Sequence, residues 1–200
     1  MIRGLTPQQT KLNLPDSDID YFPGFLAQKM ADESFTHFMD HIEWKQDHIR
    51  VFGKTYPQPR LTALYGNNEK PYTYSNITMQ PIPFNEKLLH LKQLIEPLVD
   101  VEFSSCLLNL YRDGMDSNGW HSDDEKALGR NPVIASLSLG QSRTFHLKHK
   151  KRKEIKFKLL LGHGSLLLMQ GATQHHWQHQ IAKSRKPLGP RINLTFRCIK

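Results

Sequence analysis

The sequence predicts an α+β fold that is mainly β, with helices near the N-terminus and a β-rich core after about residue 103. A helical apolar pattern marks the first half, and short apolar segments separated by turns fill the second. The length of 200 residues suits one domain with a large buried core. We expect residues 1–20 to be a poorly ordered lead-in and residues 21–200 to form a single domain.

The individual elements follow from the spacing of apolar residues. Phe25 to Ile42 has the period of an amphipathic helix, and Leu88 to Val99 predicts a second helix that Pro97 should end. Ile49 to Lys54 predicts a strand. Seven further segments, typical of a β-sandwich or barrel, are Ser105–Tyr111, Val133–Leu139, Arg143–His149, Glu154–Leu161, Ser165–Gln170, His176–Ile181 and Arg191–Ile199.

Several classes of protein are disfavoured by composition. The two cysteines, Cys106 and Cys198, form no C-x-x-C pair, which argues against a disulfide framework and a structural zinc site. The longest apolar stretch, Leu159 to Met169, is interrupted and far too short to span a membrane. Because the N-terminus lacks the apolar core of a signal peptide, we expect a soluble, intracellular protein, cytoplasmic in a prokaryote and nuclear in a eukaryote.

Charge is distributed unevenly along the chain. Residues 1–125 carry 11 Lys/Arg against 18 Asp/Glu, whereas residues 126–200 carry 16 Lys/Arg against only Glu154. A half this basic is attracted to polyanions, with nucleic acid as the first candidate. A basic but merely solvated surface is the alternative.

A candidate metal site begins at His121-Ser122-Asp123. An extended backbone points residues i and i+2 to one face, so these imidazole and carboxylate groups would converge. With a distant second histidine they would form the two-His, one-carboxylate triad that binds Fe(II) and leaves positions open for oxygen chemistry. The residues alone leave the third ligand open among His175, His176 and His179.

A candidate anion clamp lies in the alternating segment from Arg191 to Arg197. Its arginines, Asn193 and Thr195 share one face, and its apolar residues share the other. Two guanidinium groups on one face repel each other unless anions lie beside them, and a five-carbon dicarboxylate could pair with each. An amphipathic strand that binds nothing is the alternative. Asn109 and Tyr111 share a face in the same way.

Four blocks together resemble the AlkB family of nucleic-acid demethylases in order and spacing. They are Asn109-Leu110-Tyr111, His121-Ser122-Asp123, His176-Trp177-Gln178-His179 and the segment from Pro190 to Arg197. The resemblance runs from about Tyr21 to the C-terminus and is greatest to the AlkB homologue of animals that repairs double-stranded DNA. It implies a double-stranded β-helix (jelly-roll) core in about 103–200 and a nucleotide-recognition lid with the helices in about 21–102.

The resemblance also implies the cofactors and their ligands. It implies Fe(II) held by His121, Asp123 and His179, which would be the catalytic centre, together with 2-oxoglutarate and O2 as co-substrates. The residues implied for 2-oxoglutarate are Asn109, Tyr111, Arg191, Asn193, Thr195 and Arg197. Within that set, Arg197 and Asn109 would lie near the end that chelates iron.

The substrate residues are likewise implied by the resemblance. They are Phe52, Gly53, Lys54, Arg60, Tyr72, Thr73, Tyr74, Ser75, Asp124, Glu125, Arg185 and Lys186. Phe52 would be a finger that fills the stack left by a flipped base, and Tyr74, where the animal enzyme has phenylalanine, would stack on that base. The Asp123–Glu125 cluster would favour the positive charge of a methylated base, and Arg185, Lys186 and the Lys148–Lys158 run would meet phosphates.

The expected function is therefore oxidative demethylation of N-alkylated bases such as 1-methyladenine and 3-methylcytosine in DNA, as direct-reversal repair. The expected partner of the monomeric protein is alkylated DNA, double-stranded more than single-stranded, with no membrane. Alternatives are an RNA demethylase, a protein side-chain hydroxylase of the same class, and a non-catalytic nucleic-acid-binding jelly-roll protein.

Overall fold

The computed structural model describes residues 8–51, 53–67, 72–74 and 77–200. Its helices are α1 Gln28–His41, α2 Glu86–Ile95 and α3 Thr173–His176, with 3-10 turns at Glu96–Leu98 and Lys126–Leu128. Its strands are β1 Thr10–Lys11, β2 Asp18–Phe22, β3 His48–Val51, β4 Lys54–Pro57, β5 Leu61–Gly66, β6 Tyr72–Tyr74, β7 Ile77–Met79, β8 Ile82–Pro83, β9 Ser105–Tyr111, β10 Asn118–His121, β11 Ile134–Gly140, β12 Arg143–His149, β13 Lys156–Leu161, β14 Ser165–Gln170, β15 Trp177–Ile181 and β16 Arg191–Arg197.

Two sheets form the core. The larger has the order β1-β2-β14-β11-β16-β9-β5-β8, and the smaller has the order β10-β15-β12-β13. All pairings in both sheets are antiparallel except β5 with β8. Strands neighbouring in space but distant in sequence, such as β16 between β9 and β11, are typical of a jelly roll. The predicted mainly β fold with a jelly-roll core is confirmed.

Each face of the large sheet covers a separate apolar cluster. One cluster packs α1 and α2 against the sheet through residues such as Phe38, Leu91 and Leu194. The other lies between the two sheets and includes Leu107 and Phe145. Because the second cluster fills only part of the space between the sheets, polar side chains of the central strands face a cavity there.

Local chemistry sets both ends of α2. The side chain of Asn85 accepts a hydrogen bond from the backbone N–H of Leu88 at 2.9 Å and caps the start of α2. Its end precedes Pro97, as predicted, and the chain continues as a 3-10 turn. At the end of β11, Gly140 has φ +81°, and a Cβ there would lie 2.5 Å from the ring of Phe35 in α1. A glycine thus allows α1 to approach the sheet.

The expected disorder of residues 1–20 is corrected for its described part, residues 8–20. Here β2 pairs with β14 at the side of the large sheet, and Leu12 and Ile19 are buried. Asp16 and Asp18 made this segment look solvated, but Asp16 pairs with Arg152, a partner that only the fold brings near. Local polarity was misleading because the pairing is long-range.

Among the described residues, no helix combines the length and apolar character needed to cross a membrane.

Candidate metal centre and anion pocket

Two histidines and one aspartate meet where β10 pairs with β15. His121 at the end of β10 lies directly opposite His179 in the antiparallel register, and their ring centroids are 4.2 Å apart. Asp123 follows two residues later, with its Oδ1 atom 3.8 Å from Nε2 of His121. The three potential ligand atoms all lie within 4.8 Å of one another. The predicted i, i+2 convergence is therefore present.

The competing histidines point elsewhere. Nε2 of His175 lies 2.8 Å from Oδ1 of Asn131, at an exposed site. His176 instead stacks against His149, with ring centroids 5.8 Å apart. Both residues belong to the single-turn helix α3, whereas His179 lies in β15, which begins at Trp177. Of the three, only His179 adjoins His121 and Asp123.

The ionisation states of this group suit a cation. Burial is the largest influence on His179, and with the neighbouring His121 it lowers the pKa of that imidazole to about 3. Burial opposes ionisation of Asp123, but the charge of Arg197 and the two histidines outweigh it and lower the pKa of the carboxyl to about 2. At neutral pH the site therefore offers neutral imidazoles and a carboxylate, the forms that bind metal.

Neighbouring groups orient these side chains. Nδ1 of His121 lies 2.8 Å from the carbonyl oxygen of Gly119, an arrangement that directs Nε2 towards the other two groups. The backbone N–H of Asp123 donates to the side chain of Gln174 at 2.9 Å, and Nη2 of Arg197 donates to Asp123 Oδ2 at 3.0 Å. Oδ1 of Asp123 is buried and accepts no hydrogen bond within the described part of the chain.

The donor set fits Fe(II). Two imidazole nitrogens and one carboxylate oxygen form the two-His, one-carboxylate pattern of non-haem iron sites. The buried Oδ1 atom of Asp123 would gain the partner that the described residues do not provide. The three side chains thus match the Fe(II) ion that the sequence implied.

The arginine strand forms the wall of the same cavity. β16 is buried along its whole length. Its apolar residues belong to the cluster beside the helices, and its polar residues line the cavity, as the alternation predicted. The cavity is lined by Arg191, Asn193, Thr195 and Arg197 of β16, together with Asn109, Tyr111, His121, Asp123 and His179.

Arg191 is a buried cation without a buried counter-ion beside it among the described residues. Its Nη2 donates to the hydroxyl of Ser138 at 2.9 Å, and its guanidinium lies 5.2 Å from the ring centroid of Tyr111. Burial is the largest cause that lowers its pKa, to about 10, so the group is still charged at neutral pH. Nε and Nη1 donate no hydrogen bond within the same part of the chain. Leaving a charge so poorly compensated is unfavourable and favours an anionic ligand.

Two serines of β11 were missed by the sequence analysis. Ser138 accepts from Arg191, and Ser136 accepts from the side-chain amide of Asn193 at 2.8 Å. The I-A-S-L-S-L-G pattern of this strand places both hydroxyls on one face. That alternation was the available signal, although nothing local distinguishes it from a solvated strand.

Arg60, one of the predicted substrate residues, lies in the wall of the cavity. It is buried, lines the cavity, and donates through Nε to Oδ1 of Asn109 at 2.8 Å. It also donates to the carbonyl oxygen of Ser117 at 3.3 Å. In this structure Arg60 therefore holds a predicted co-substrate residue.

The remaining predicted substrate residues are dispersed. Gly53, with φ +78°, and the exposed Lys54 lie at the turn of the β3–β4 hairpin. Arg185 and Lys186 are exposed in the loop before β16, where the N–H of Ser184 donates to the carbonyl of Gly114 at 2.7 Å. The segment Tyr72, Thr73, Tyr74 forms β6, paired with β7. Phe52 and Ser75 lie outside the described residues.

Two members of the Asp123–Glu125 cluster have basic partners within the fold. Asp123 is bound to Arg197, and Asp124 pairs with Nζ of Lys150 at 3.0 Å, half exposed at the surface. Glu125 is partly buried. Two of the three carboxylates are thus already neutralised, because basic residues distant in sequence fold against them. The cluster does not present three uncompensated charges to a cationic base.

We expect the metal-free protein to lose stability as the pH falls below about 6.5. Unfolded His179 takes up a proton there, whereas the native imidazole accepts one only near pH 3, so the unfolded state binds more protons. The loss should reach about 2 kcal/mol by pH 5. Urea unfolding at pH 7.5, 6 and 5 measures it. His179→Gln should reduce this dependence, and an unchanged pH profile in that variant would contradict the assignment.

Comparisons with known proteins agree with this geometry. A family model described as the 2OG-Fe(II) oxygenase superfamily matches residues 18–197. "Alpha-ketoglutarate-dependent dioxygenase alkB homolog 3" of Bos taurus is 48% identical over 186 residues, covering 88% of this chain and 64% of that protein. The Homo sapiens protein of that name is 46% identical over 192 residues, covering 92% and 66%. The chain thus spans a little under two thirds of these relatives.

A second group of relatives is less similar. "DNA oxidative demethylase ALKBH2" of Homo sapiens is 37% identical over 179 residues, covering 84% of this chain and 69% of that protein. Both groups of relatives carry AlkB-homologue names, which confirms the family resemblance found in the sequence.

Among solved structures, "The structure of OsALKBH1" superposes with a TM-score of 0.66 at 19% identity, covering 94% of this chain and 100% of that one. At that identity the match shows the fold alone. The matched family model and the relatives above 30% identity show the family: the chain belongs to the 2OG-Fe(II) oxygenase superfamily, with AlkB homologues among its relatives.

Proposed function

We propose that the protein is an Fe(II)- and 2-oxoglutarate-dependent dioxygenase that removes N-alkyl groups from bases such as 1-methyladenine and 3-methylcytosine in DNA. Succinate, CO2 and formaldehyde would be released. One observation carries the proposal: His121, Asp123 and His179 face the same cavity as the buried cation Arg191. The names of the AlkB relatives add the class of substrate, since one of them is called a DNA oxidative demethylase.

Iron bound by His121, Asp123 and His179 would supply the oxidation of the N-methyl group by O2, with 2-oxoglutarate as the second substrate that is oxidised. The protein itself would bind 2-oxoglutarate and exclude water from the site. Arg191 would pair with the distal carboxylate of 2-oxoglutarate, against the ring of Tyr111. Arg197 keeps Asp123 ionised and fixed through its hydrogen bond. Phe145, stacked on His179 with centroids 5.0 Å apart, keeps that imidazole away from solvent.

The proposed partner is alkylated nucleic acid inside the cell, bound by a monomer. The net charge of +8 and the basic residues after residue 125 favour a polyanionic substrate. DNA, and duplex more than single strands, is the substrate that the sequence analysis favoured. That preference depended on the resemblance of the lid, with Phe52 as its finger, and Phe52 lies outside the described residues. RNA is the alternative that the same site chemistry would serve.

A demethylation assay tests the proposal. Iron-loaded protein is incubated with 2-oxoglutarate and matched oligonucleotides carrying one 1-methyladenine or 3-methylcytosine, as single-stranded DNA, duplex DNA and RNA. We expect loss of one CH2 by mass spectrometry with equimolar succinate and formaldehyde. His179→Ala should remove turnover. If no methylated oligonucleotide supports succinate release while the wild-type protein binds iron, the proposed reaction is wrong.

A further inference from the structure

The outward face of the small sheet is free of acidic side chains. No aspartate or glutamate occurs in β10, β15, β12 or β13, all of which the structure describes in full. Strand alternation turns Phe145, Leu147 and His179 inwards and leaves the intervening residues more exposed. The outward residues that define this basic face are Trp120, His146, Lys148, Lys156, Lys158, Gln178 and Gln180.

Strand register arranges these residues in two rows. Lys148 lies between Gln178 on one side and Lys156 on the other. His146 likewise lies between Gln180 and Lys158. Successive rows on one face are about 6.6 Å apart, because each residue advances a strand by about 3.3 Å. The lysine, histidine and glutamine side chains of the two rows therefore form a ladder of hydrogen-bond donors for phosphate.

Trp120 joins this ladder to the metal centre. It precedes His121 directly in β10, and it is 38% exposed although it is a large aromatic residue. Nζ of Lys148 lies 4.3 Å from its ring centroid, so the indole already carries a cation on its face. An exposed aromatic beside several lysines is the combination by which proteins bind single-stranded nucleic acid.

We propose that the basic face binds a single nucleic-acid strand next to the base in the site, with one flanking base stacked on Trp120 and phosphates beside Lys148, Lys156 and Lys158. The inference rests on the nucleic-acid part of the proposed function. A single strand is the occupant because stacking on Trp120 needs an open base face, which a duplex keeps paired and stacked. Because the four strands carry no acidic residue, a phosphate backbone meets no repulsion from the strands themselves.

A nucleic-acid base stacked on Trp120 should bind the ring more strongly than the Lys148 ammonium that lies over it in the absence of nucleic acid. An exposed cation–π contact changes an equilibrium by about two- to fivefold. A base stacked on an aromatic side chain is worth about fivefold to a hundredfold. The base can therefore displace the Lys148 ammonium from the ring, and the long lysine side chain then reaches the adjoining phosphate.

Binding of an unmodified oligonucleotide, without iron or 2-oxoglutarate, tests the inference. Fluorescence anisotropy follows a labelled thymidine oligonucleotide of about 12 nucleotides over a range of salt concentrations. We expect Trp120→Ala to weaken binding about tenfold and Trp120→Phe to keep it within about threefold of the wild type. Lys148→Gln should reduce the slope of log K against log salt by about 0.7, the value for one phosphate contact on a single strand.

Control variants distinguish a loss of binding at the basic face from a non-specific loss of affinity. Leu160 is 60% exposed on the same face of β13, in the row next to Lys158, but it pairs with Thr144 and carries neither charge nor aromatic ring, so Leu160→Ala should bind as the wild type does. On the annealed duplex, Trp120→Ala should have little effect, and an equal loss there would overturn the single-strand assignment. Wild-type affinity in a folded Trp120→Ala variant would overturn the inference while leaving demethylation intact. Conversely, if no demethylation occurs but Trp120→Ala still weakens binding, the proposed reaction is wrong and the proposed binding surface stands.

Discussion

Replacing Arg191 with methionine should abolish tight binding of 2-oxoglutarate while leaving the ligand-free protein at least as stable as the wild type. The guanidinium is buried, its pKa is lowered to about 10, and only its Nη2 donates a hydrogen bond among the described residues. Removing such a cation relieves a desolvation cost, so the free energy of unfolding should be unchanged or up to about 2 kcal/mol higher. The co-substrate, by contrast, loses a charged hydrogen-bonded partner, and its affinity should fall on the order of 100-fold or more.

Calorimetric titration of 2-oxoglutarate, with urea unfolding of the ligand-free forms, measures both effects. Ser138→Ala serves as the matched control, because it removes the acceptor of Arg191 and keeps the charge. It should weaken 2-oxoglutarate binding by about tenfold, the lower end of the effect of one hydrogen bond to a charged group. A methionine variant that binds 2-oxoglutarate normally would show that Arg191 does not hold the co-substrate.

Asp123→Asn should abolish metal binding and destabilise the protein in one step. The substitution removes a ligand, so Fe(II) affinity should fall by at least about 100-fold, since even the loss of an outer partner costs 10- to 100-fold. It also removes the carboxylate that pairs with the buried Arg197, and both side chains of this pair are 5% exposed or less. Breaking a buried ion pair on one side lowers the free energy of unfolding by about 3 kcal/mol.

A second substitution separates the loss of metal binding from the loss of stability. In Asp123→Asn with Arg197→Met, both members of the buried ion pair are replaced, and much of the lost stability should return while metal binding stays absent. Denaturant unfolding of the metal-free proteins and titration with Fe(II) or Co(II) measure the two properties. If the double variant is as unstable as the sum of the single ones, Asp123 and Arg197 are not energetically coupled.

The strands of the core could be predicted because alternation and turn residues are local signals. Ser105–Tyr111, Arg143–His149 and Ser165–Gln170 have the same bounds in sequence and structure. β2 was missed because its place beside β14 depends on pairing with residues far along the chain. A short strand that contains Asp18 and Asp20 and follows Asp16 has no local signal of burial.

The individual metal-binding and arginine residues of the site could be predicted, but the hydrogen bonds and ion pairs that join them could not. The alternation of residues in β16 is enough to place both arginines on one face of the strand. Residues alone left three histidines for one place, because the helix-to-strand change at Trp177 that turns His179 inwards has no clear sequence signal. The contacts of Gln174 with Asp123 and of Lys150 with Asp124 join positions far apart in the chain. Such partners emerge only when the sheets come together.

The central position of β16 would link iron binding at the proposed site to complete folding. This strand carries Arg191 and Arg197 and lies between β9 and β11, each of which pairs with it over most of its length. Asp123 gains its Arg197 partner only after that insertion, which requires closure of long loops and is slow. A partly folded chain would therefore hold the metal weakly, and iron able to activate oxygen would be retained only by molecules whose substrate cavity is already closed around it.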